Sequence, residues 1–167
     1  DAEADHSSDN VVADNDMHNL GRVYPSAIGL WVGQSYRNQL VHNHIHDLYY
    51  AAISVGWTWG YGKTLCRENI IDFNHLHHIG QNMLSDMGAI YTLGIQPGST
   101  IRNNLIHDVY SFTYGGWGIY PDEGSTTFLI ENNIVYRTKS AGFHQHYGRE
   151  NTVRNNIFAF GDEFQLM

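Results

Sequence analysis

The sequence is poor in cysteine and has no long apolar run, and each shortage excludes a class of protein. Cys66 is the one cysteine among 167 residues, which excludes an internal disulfide and a cysteine-based metal cluster. No apolar run reaches the ~18 residues of a membrane span, and no basic-then-apolar leader opens the chain. The sequence therefore predicts no membrane association and shows no signal peptide. Because it starts at Asp1 rather than Met, we expect a mature or excised piece of a longer protein.

Charge is also scarce, and it is mostly negative. Charged residues make up 16% of the chain, with 17 acidic against 9 basic ones and a formal charge of −8. No Lys/Arg run is present, which argues against a nucleic-acid partner and favours a neutral or basic ligand. Aromatic residues are plentiful instead, with 11 Tyr, 7 Phe and 4 Trp, many of them beside Gly. Such residues are typical of the stacking surfaces that bind carbohydrate.

A repeat built around Asn runs through the chain. Its members are Asn15, Asn43, Asn74, Asn104, Asn133 and Asn156, each opening a short alternating apolar run. The spacing varies from 23 residues (Asn133 to Asn156) to 31 (Asn43 to Asn74), which corresponds to a minimal coil with insertions. Period-two alternation rich in Ile, Val and Tyr disfavours helical repeats. The pattern predicts an all-β parallel solenoid of about six coils, forming one domain over residues 1–167, with the Asn side chains stacked at one corner.

Four segments carry a resemblance to a known family. They are residues 85–91, 116–125, 142–148 and 151–157. With the Asn repeat, they resemble the right-handed parallel β-helix, or pectin-lyase-like, superfamily, and most of all bacterial carbohydrate-active proteins related to glycoside hydrolase family 141. The resemblance implies a polysaccharide or oligosaccharide substrate, no cofactor, and an extracellular or periplasmic location. Because neither end shows a cap, we expect truncation at one or both ends and further coils in a longer parent chain.

Strand alternation sorts the repeat into columns, because equivalent residues of successive coils stack about 4.8 Å apart. Two columns are predicted to form the core: Leu30, Ile53, Ile90, Ile119, Phe143, and Met17, Ile45, Leu76, Ile106, Val135. Two outward columns are predicted to form an aromatic, His and carboxylate strip: Trp31, Ser54, Tyr91, Tyr120, His144, and Gly33, Gly56, Leu93, Asp122, His146. This strip is the most ligand-like surface that the sequence offers.

A column of histidines invites a metal interpretation, but a structural one explains more. His18, His46, His77 and His107 occupy one position in four successive coils, and Tyr136 follows them. Imidazoles that recur at the repeat period are interpreted as a stacked column, because metal sites need ligands that converge from different directions. His144 and His146 break the repeat and are a better metal pair, yet no carboxylate or cysteine cluster completes it. The sequence therefore predicts no metal site.

Insertions beyond the minimal coil are where a solenoid places function. They span residues 21–27, 57–63, 80–88 and 110–117. The second insertion carries Trp57 and Trp59 and is either a sugar-stacking lip or an aromatic plug over the solenoid. Together with Trp31, Tyr91, Trp117, Tyr120, His144 and His146, these two tryptophans are the predicted substrate-binding residues.

Glycoside hydrolysis needs two carboxyl groups, so acids that break the repeat are the candidates. Asp86 lies in an insertion, and Asp122 and Glu123 follow a strand where other coils have Gly, Leu or His. The resemblance supports Asp86 and Asp122, which match the family's acidic motif positions, although Pro121 precedes Asp122 and could alter the turn. Asp47 and Asp108 share a repeat column and are interpreted as solvated corner residues. An Asx turn without catalysis is the alternative for Asp122 and Glu123.

Two other functions remain open. A polysaccharide lyase would use a Lys, Arg or His to abstract a proton beside a uronate, and Lys139 and Arg137 allow this. The charge of −8 argues against such a polyanionic substrate. A non-catalytic carbohydrate-binding or structural solenoid is the third possibility. The sequence analysis predicts a glycoside hydrolase that acts on a plant or microbial polysaccharide by paired carboxylates, with these two functions as alternatives.

Overall fold

The structure, a computed structural model, describes residues 6–167 and contains sixteen strands in that range. Numbered in chain order, the first sheet holds β1 (Val11–Ala13), β4 (Gln39–Val41), β7 (Ile70–Asp72), β10 (Thr100–Arg102), β13 (Leu129–Glu131) and β15 (Thr152–Arg154). The second sheet holds β2 (Asp16–His18), β5 (His44–Leu48), β8 (His75–Ile79), β11 (Leu105–Val109), β14 (Ile134–Thr138) and β16 (Ile157–Gly161). The third sheet holds β3 (Leu30–Val32), β6 (Ile53–Val55), β9 (Gly88–Thr92) and β12 (Trp117–Pro121).

Every strand pairs in parallel with the equivalent strand of the next coil, which confirms the predicted parallel β-helix. The third sheet has four strands and the other two have six, so about four coils are complete rather than six. In the last two coils this face is reduced to single bridges from Ile119 to Phe143 and from Phe143 to Leu166. Within residues 6–167, no helix is long and apolar enough to cross a membrane.

The corners of the coils are set by residues in the left-handed region of backbone space. Between the first and second sheets this position is filled by Asp14, His42, Phe73, Asn103, Asn132 and Asn155, with φ between 54° and 58°. Asn and Asp tolerate this conformation better than other non-glycine residues, which accounts for much of the column. The recurring bend leaves the following Asn in each coil pointing inward.

Those inward Asn side chains form the predicted stack. The amide of Asn74 donates to the side-chain oxygen of Asn104 at 3.0 Å, and that of Asn104 donates to Asn133 at 3.0 Å. Each buried amide also donates to a backbone carbonyl, as Asn104 does to Ile71 at 3.0 Å. A second stack, which the sequence analysis missed, joins Asn38 to Asn69 at 2.9 Å. Both stacks satisfy polar groups at corners that have no strand partner.

The predicted core columns lie inside the helix. Ile45, Leu76, Ile106 and Val135 are fully buried, as are Ile53, Ile90 and Ile119, and strand register places each over the next. Met17 and Leu30, in the first coil, are partly buried against the same cluster. Side chains of two sheets thus meet in one continuous apolar core.

The histidine column is also stacked as expected. The rings of His46 and His77 lie 4.9 Å apart and 8° from parallel, and His77 and His107 lie 5.0 Å apart and 4° from parallel. Tyr136 continues the stack at 4.9 Å from His107. Burial and the neighbouring histidines, first of all His75, lower the pKa of His77 to about 4.

Asp47 and Asp108 have the left-handed φ of corner residues and are partly exposed, with 39% and 19% of their side chains accessible, but both are also paired. Arg137 donates two hydrogen bonds to the Asp108 carboxylate, at 2.7 and 2.9 Å, and His107 contacts it at 2.6 Å. The Arg137 guanidinium holds the pKa of Asp108 well below its usual range. Asp47 contacts His46 at 2.7 Å, and this contact lowers the pKa of Asp47. Both acids are therefore paired with cationic or imidazole partners at the end of the second sheet.

We expect Asn104→Ala to lower the free energy of unfolding by about 2–4 kcal/mol, because the change removes a buried amide and leaves its partners unpaired. Asn15→Ala is the matched control, since Asn15 is an exposed member at the end of the same stack. It should cost about 1 kcal/mol or less, as measured by urea denaturation. Equal losses in the two variants would contradict a stabilising role for the buried stack.

The lowered pKa of His77 predicts that stability falls as the pH drops from 6.5 towards 4. In that window the unfolded chain protonates this residue near its ordinary pKa of 6.5, whereas the folded chain does not until about pH 4. The unfolded state then binds more protons, so acid favours it. His77→Tyr, which copies Tyr136, should flatten this pH dependence in urea denaturation, whereas His42→Gln outside the column should leave it unchanged. A wild-type slope retained in His77→Tyr would disprove the assignment.

Candidate active site

Asp122 is a buried acid held by two donors. It directly follows β12, and its backbone N–H donates to the carbonyl of Thr92 in the preceding coil at 3.0 Å. Its carboxylate accepts a hydrogen bond from the Tyr91 hydroxyl at 2.6 Å and contacts Nδ1 of His146 at 2.8 Å. Only 6% of Asp122 is exposed. Pro121 does not displace it, because Pro121 remains in register with Thr92 as the last residue of β12.

Asp86 reaches the same place from the insertion that precedes β9. It has a left-handed φ of 53°, and its backbone N–H donates to the carbonyl of Tyr114 at 3.0 Å. The insertions of two successive coils therefore stack on each other, and a contact of 2.6 Å between Ser85 and Thr113 adds to this pairing. Asp86 itself is exposed. A loop acid is thus held in place by backbone contacts while its carboxylate stays accessible.

Tyr120 links the two acids. Its hydroxyl donates to Oδ1 of Asp86 at 3.2 Å, and both Asp122 and Asp86 act on its ionisation. Burial is the largest cause of the raised pKa of Tyr120, followed by the charges of Asp122 and Asp86. Burial and the hydrogen bond to Asp122 raise the pKa of Tyr91 in the same way. Both hydroxyls therefore keep their protons and act as donors to carboxylates.

Glu123 is the third acid of the group. The Tyr147 hydroxyl donates to its carboxylate at 3.0 Å. Its backbone carbonyl accepts hydrogen bonds from Gly60 at 3.2 Å and from Gly94 at 3.1 Å. The turn that carries Glu123 therefore anchors the 57–63 insertion, which folds across two coils to meet it.

The strands and insertions that carry these acids and tyrosines line a cavity of about 560 Å³ that is open to solvent. Nine of the eleven predicted site residues line it: Asp86, Asp122, Glu123, Trp59, Tyr91, Trp117, Tyr120, His144 and His146. Tyr50 and Tyr114 also line it and were not predicted. Tyr114 lies in the 110–117 insertion, so the insertion length was a usable signal, whereas nothing in the repeat singles out Tyr50.

Trp31 and Trp57 do not line the cavity. They lie beside it with Trp59, in a group that we call the tryptophan patch. The ring centroids of Trp31 and Trp57 are 5.4 Å apart, and those of Trp57 and Trp59 are 4.8 Å apart. All three are exposed, by 57%, 43% and 50% respectively. The patch therefore extends from the first coil to the cavity, where Trp59 belongs to both.

The outward strip is less exposed than the alternation implied. Ser54 is fully buried, Tyr120 is 3% exposed and Tyr91 is 8% exposed. Packing among the large side chains of this face accounts for part of the difference, since the ring centroids of Trp117 and Tyr120 lie 4.2 Å apart and His144 stacks on Trp117 at 4.5 Å. The site is thus a recessed cavity and not an open face.

His144 and His146 do not form a compact metal pair here. Their ring centroids are 6.4 Å apart, and Nδ1 of His146 already contacts Asp122. Burial, and then the charge of His146, lower the pKa of His144. Among residues 6–167, the convergent groups of metal-ligand atoms lie on the second sheet, outside the cavity.

Comparison with known proteins adds one likeness. No protein-family model matches the sequence, and no curated protein does. A solved structure described as "Glycoside hydrolase" matches with a TM-score of 0.72 and 22% identity over 92% of this chain. This likeness establishes the fold. The chain spans only 25% of that structure's length, so the larger part of the similar protein has no counterpart here.

The lowered pKa of His144 can be tested by NMR titration of the imidazole Cε1–H signals. In the wild type we expect His144 to titrate below its ordinary value of 6.5. His146→Gln should raise the pKa of His144, because removing the second imidazole removes its repulsion, but burial should still hold it below 6.5. Titration of wild-type His144 at or above 6.5 would contradict the buried arrangement.

Proposed function

We propose that the chain is part of a glycoside hydrolase that cleaves a plant or microbial polysaccharide or oligosaccharide with paired carboxylates. One observation carries the proposal: Asp86 and Asp122, from different coils, line one cavity, and each accepts a hydrogen bond from a buried tyrosine, Asp86 from Tyr120 and Asp122 from Tyr91. Hydrolysis of a glycosidic bond requires two such carboxyl groups, one to protonate the leaving oxygen and one to act as nucleophile or base.

The two acids suit different roles. Asp122 is buried and oriented by Tyr91 and His146, so we assign it the nucleophile or base, whose position relative to the anomeric carbon must be fixed. Asp86 is exposed, which suits the acid that meets the leaving oxygen. Glu123 lines the same cavity and is the alternative partner of Asp122.

The walls of the cavity fit a neutral sugar. Trp59 and Tyr114, which are 50% and 57% exposed, offer aromatic faces against which a pyranose ring can stack, and the tyrosine hydroxyls offer hydrogen bonds. The lining contains three acids and no Lys or Arg, which disfavours an anionic substrate. A polysaccharide is too large to enter a cell, so we also propose that the parent protein acts outside the cytoplasm and that further coils extend the cleft.

The lyase alternative has less support. Lys139 donates to the backbone carbonyls of Ser111 and Phe112, and Arg137 pairs with Asp108. Neither basic residue lines the cavity, so neither is placed to neutralise a uronate there. A carbohydrate-binding role without catalysis is favoured by a separate observation, the exposed tryptophan patch, and would need only Trp31, Trp57 and Trp59.

Activity assays on the two acids test the proposal. Asp86→Asn and Asp122→Asn keep the shape of each side chain but remove the acid, so each should lower the release of reducing sugar from neutral glycans by about 10²–10⁴-fold. Asp162→Asn is the matched control, because Asp162 is exposed and lies outside the cavity. It should keep full activity.

Other outcomes decide between the alternatives. Full activity in both cavity variants would exclude the carboxylate mechanism. A product absorbing at about 235 nm, as an unsaturated uronate does, would indicate elimination by a lyase. Glycan binding without product, lost in Trp57→Ala, would assign the chain to carbohydrate binding.

A further inference from the structure

A second cluster of chemically active side chains lies outside the cavity, on the outward face of the second sheet. Two neighbouring columns form it: His18, His46, His77, His107, and Asp16, His44, His75. Residues two apart on a strand share a face, so β2, β5, β8 and β11 present both columns side by side. None of these residues lines the cavity, and the cluster is independent of the function proposed above.

Ring stacking runs along both columns, since His44 also stacks on His75 at 5.0 Å and 15° from parallel, but it does not explain the contacts between the columns. The faces of His46, His77 and His107 stack on one another, but their nitrogen edges meet the other column. Nε2 of His44 lies 2.7 Å from Nε2 of His77. Nε2 of His75 lies 2.9 Å from Nε2 of His107. Two ring nitrogens at such distances must share a proton or a cation, because two lone pairs facing each other repel.

The contacts of His46 and Asp16 also call for extra positive charge. Nδ1 of His46 contacts the Asp47 carboxylate at 2.7 Å, and Nε2 faces Oδ1 of Asp16 at 3.3 Å. A neutral imidazole carries one N–H, so it can donate to only one of these two acids. Asp16 also lies 3.3 Å from Nδ1 of His44. A cation in the cluster would satisfy these acceptors together.

The imidazoles at the centre of the cluster are suited to metal ligation. Nε2 of His44 and Nε2 of His77 face each other, and imidazole nitrogen is the commonest protein ligand of a metal ion. Nδ1 of His44 lies 3.3 Å from Oδ1 of Asp16, while Nε2 of the same ring faces His77. A carboxylate behind a histidine is the arrangement that orients imidazoles around protein-bound metals.

The ligand atoms of His44, His75 and His77 all lie within 4.8 Å of one another. A tetrahedral Zn²⁺ site has Zn–N distances of about 2.0–2.1 Å, and therefore N···N distances of about 3.3 Å, which small side-chain rotations would reach. We propose that His44, His75 and His77 bind one divalent transition-metal ion, such as Zn²⁺, and leave a fourth position open to solvent. Asp16, His44 and His46 form an adjacent set that shares His44, so one ion per chain is expected.

Substitutions for two of the ligands can be chosen from residues that occupy the same columns in other coils. Leu105 occupies the position of His75 in the next coil, and Tyr136 occupies the position of His77 two coils on. His75→Leu/His77→Tyr therefore removes two ligands with side chains already found in those columns. The matched control is His144→Gln/His146→Gln, which removes two histidines from the cavity instead.

The test is isothermal titration of Zn²⁺ into EDTA-stripped, dialysed protein that carries no histidine tag. We expect one Zn²⁺ per wild-type chain, an affinity at least about 100-fold weaker in His75→Leu/His77→Tyr, roughly tenfold for each lost ligand, and no change in the cavity variant. Circular dichroism in EDTA checks that each variant is folded. Equal affinity in wild type and His75→Leu/His77→Tyr, or a loss confined to the cavity variant, would overturn the proposal.

A measurement on the wild type alone covers the case in which the ligand variant does not fold. Long-range ¹H–¹⁵N spectra report the ring nitrogens of each histidine. Addition of Zn²⁺ should shift the nitrogens of His44, His75 and His77 and leave those of His42 unchanged. Shifts confined to His144 and His146, or no shifts at all, would refute the site.

Discussion

Coil-to-coil register is the constraint on which the rest of this structure depends. Parallel pairing places each residue directly over its equivalent in the next coil, about 4.8 Å away. The Asn stack reinforces this register at a corner, where buried amides such as Asn74 and Asn104 bridge successive coils at positions that lie outside the strands. Because equivalent residues are stacked in this register, the other features are columns of side chains. They are an apolar core, a stack of imidazoles, and a strip of aromatic and acidic side chains on the third sheet.

The candidate site arises where residues depart from those columns. Asp122 takes a position that holds Gly33, Gly56 and Leu93 in earlier coils, so the fold does not require an acid there. The acids that do follow the repeat, Asp47 and Asp108, are engaged with their own corner partners. The insertions convert the strip into a cavity, because they bring Asp86 over the third sheet and cover Tyr120. Scaffold and site thus use the same register for different purposes.

The parts of the structure that the sequence could predict are those that recur. Asn spacing and period-two alternation were sufficient for the fold, the core columns and the histidine stack, because each rule is restated in several coils. The columns, the insertions and the resemblance together selected eleven candidate residues, of which nine line one cavity. What could not be predicted depends on single events. Ser54 lies in register between Trp31 and Tyr91 and is fully buried, and Tyr50 reaches the cavity from a corner that carries no signal.

The difference between recurring and single features also explains the number of complete coils and the contacts of the second histidine column. The repeat continues through Asn156, but pairing on the third sheet weakens to single bridges after β12, so about four coils are complete. Recurrence identified the stacked rings of His46 and His77, whereas the approach of His44 to His77 depends on side-chain rotation. The sequence pattern defines the columns, but only the structure shows which edges of the imidazole rings face each other.

The account's central claim is that a glycan binds across the acids of the cavity. A crystal structure of Asp122→Asn with a bound neutral oligosaccharide tests it most directly. We expect the glycosidic oxygen within about 3 Å of the carboxyl group of Asp86 or Glu123, with residue 122 facing the anomeric carbon and a sugar ring against Trp59 or Tyr114. A sugar bound only to Trp31 and Trp57, with no contact to these acids, would contradict the claim.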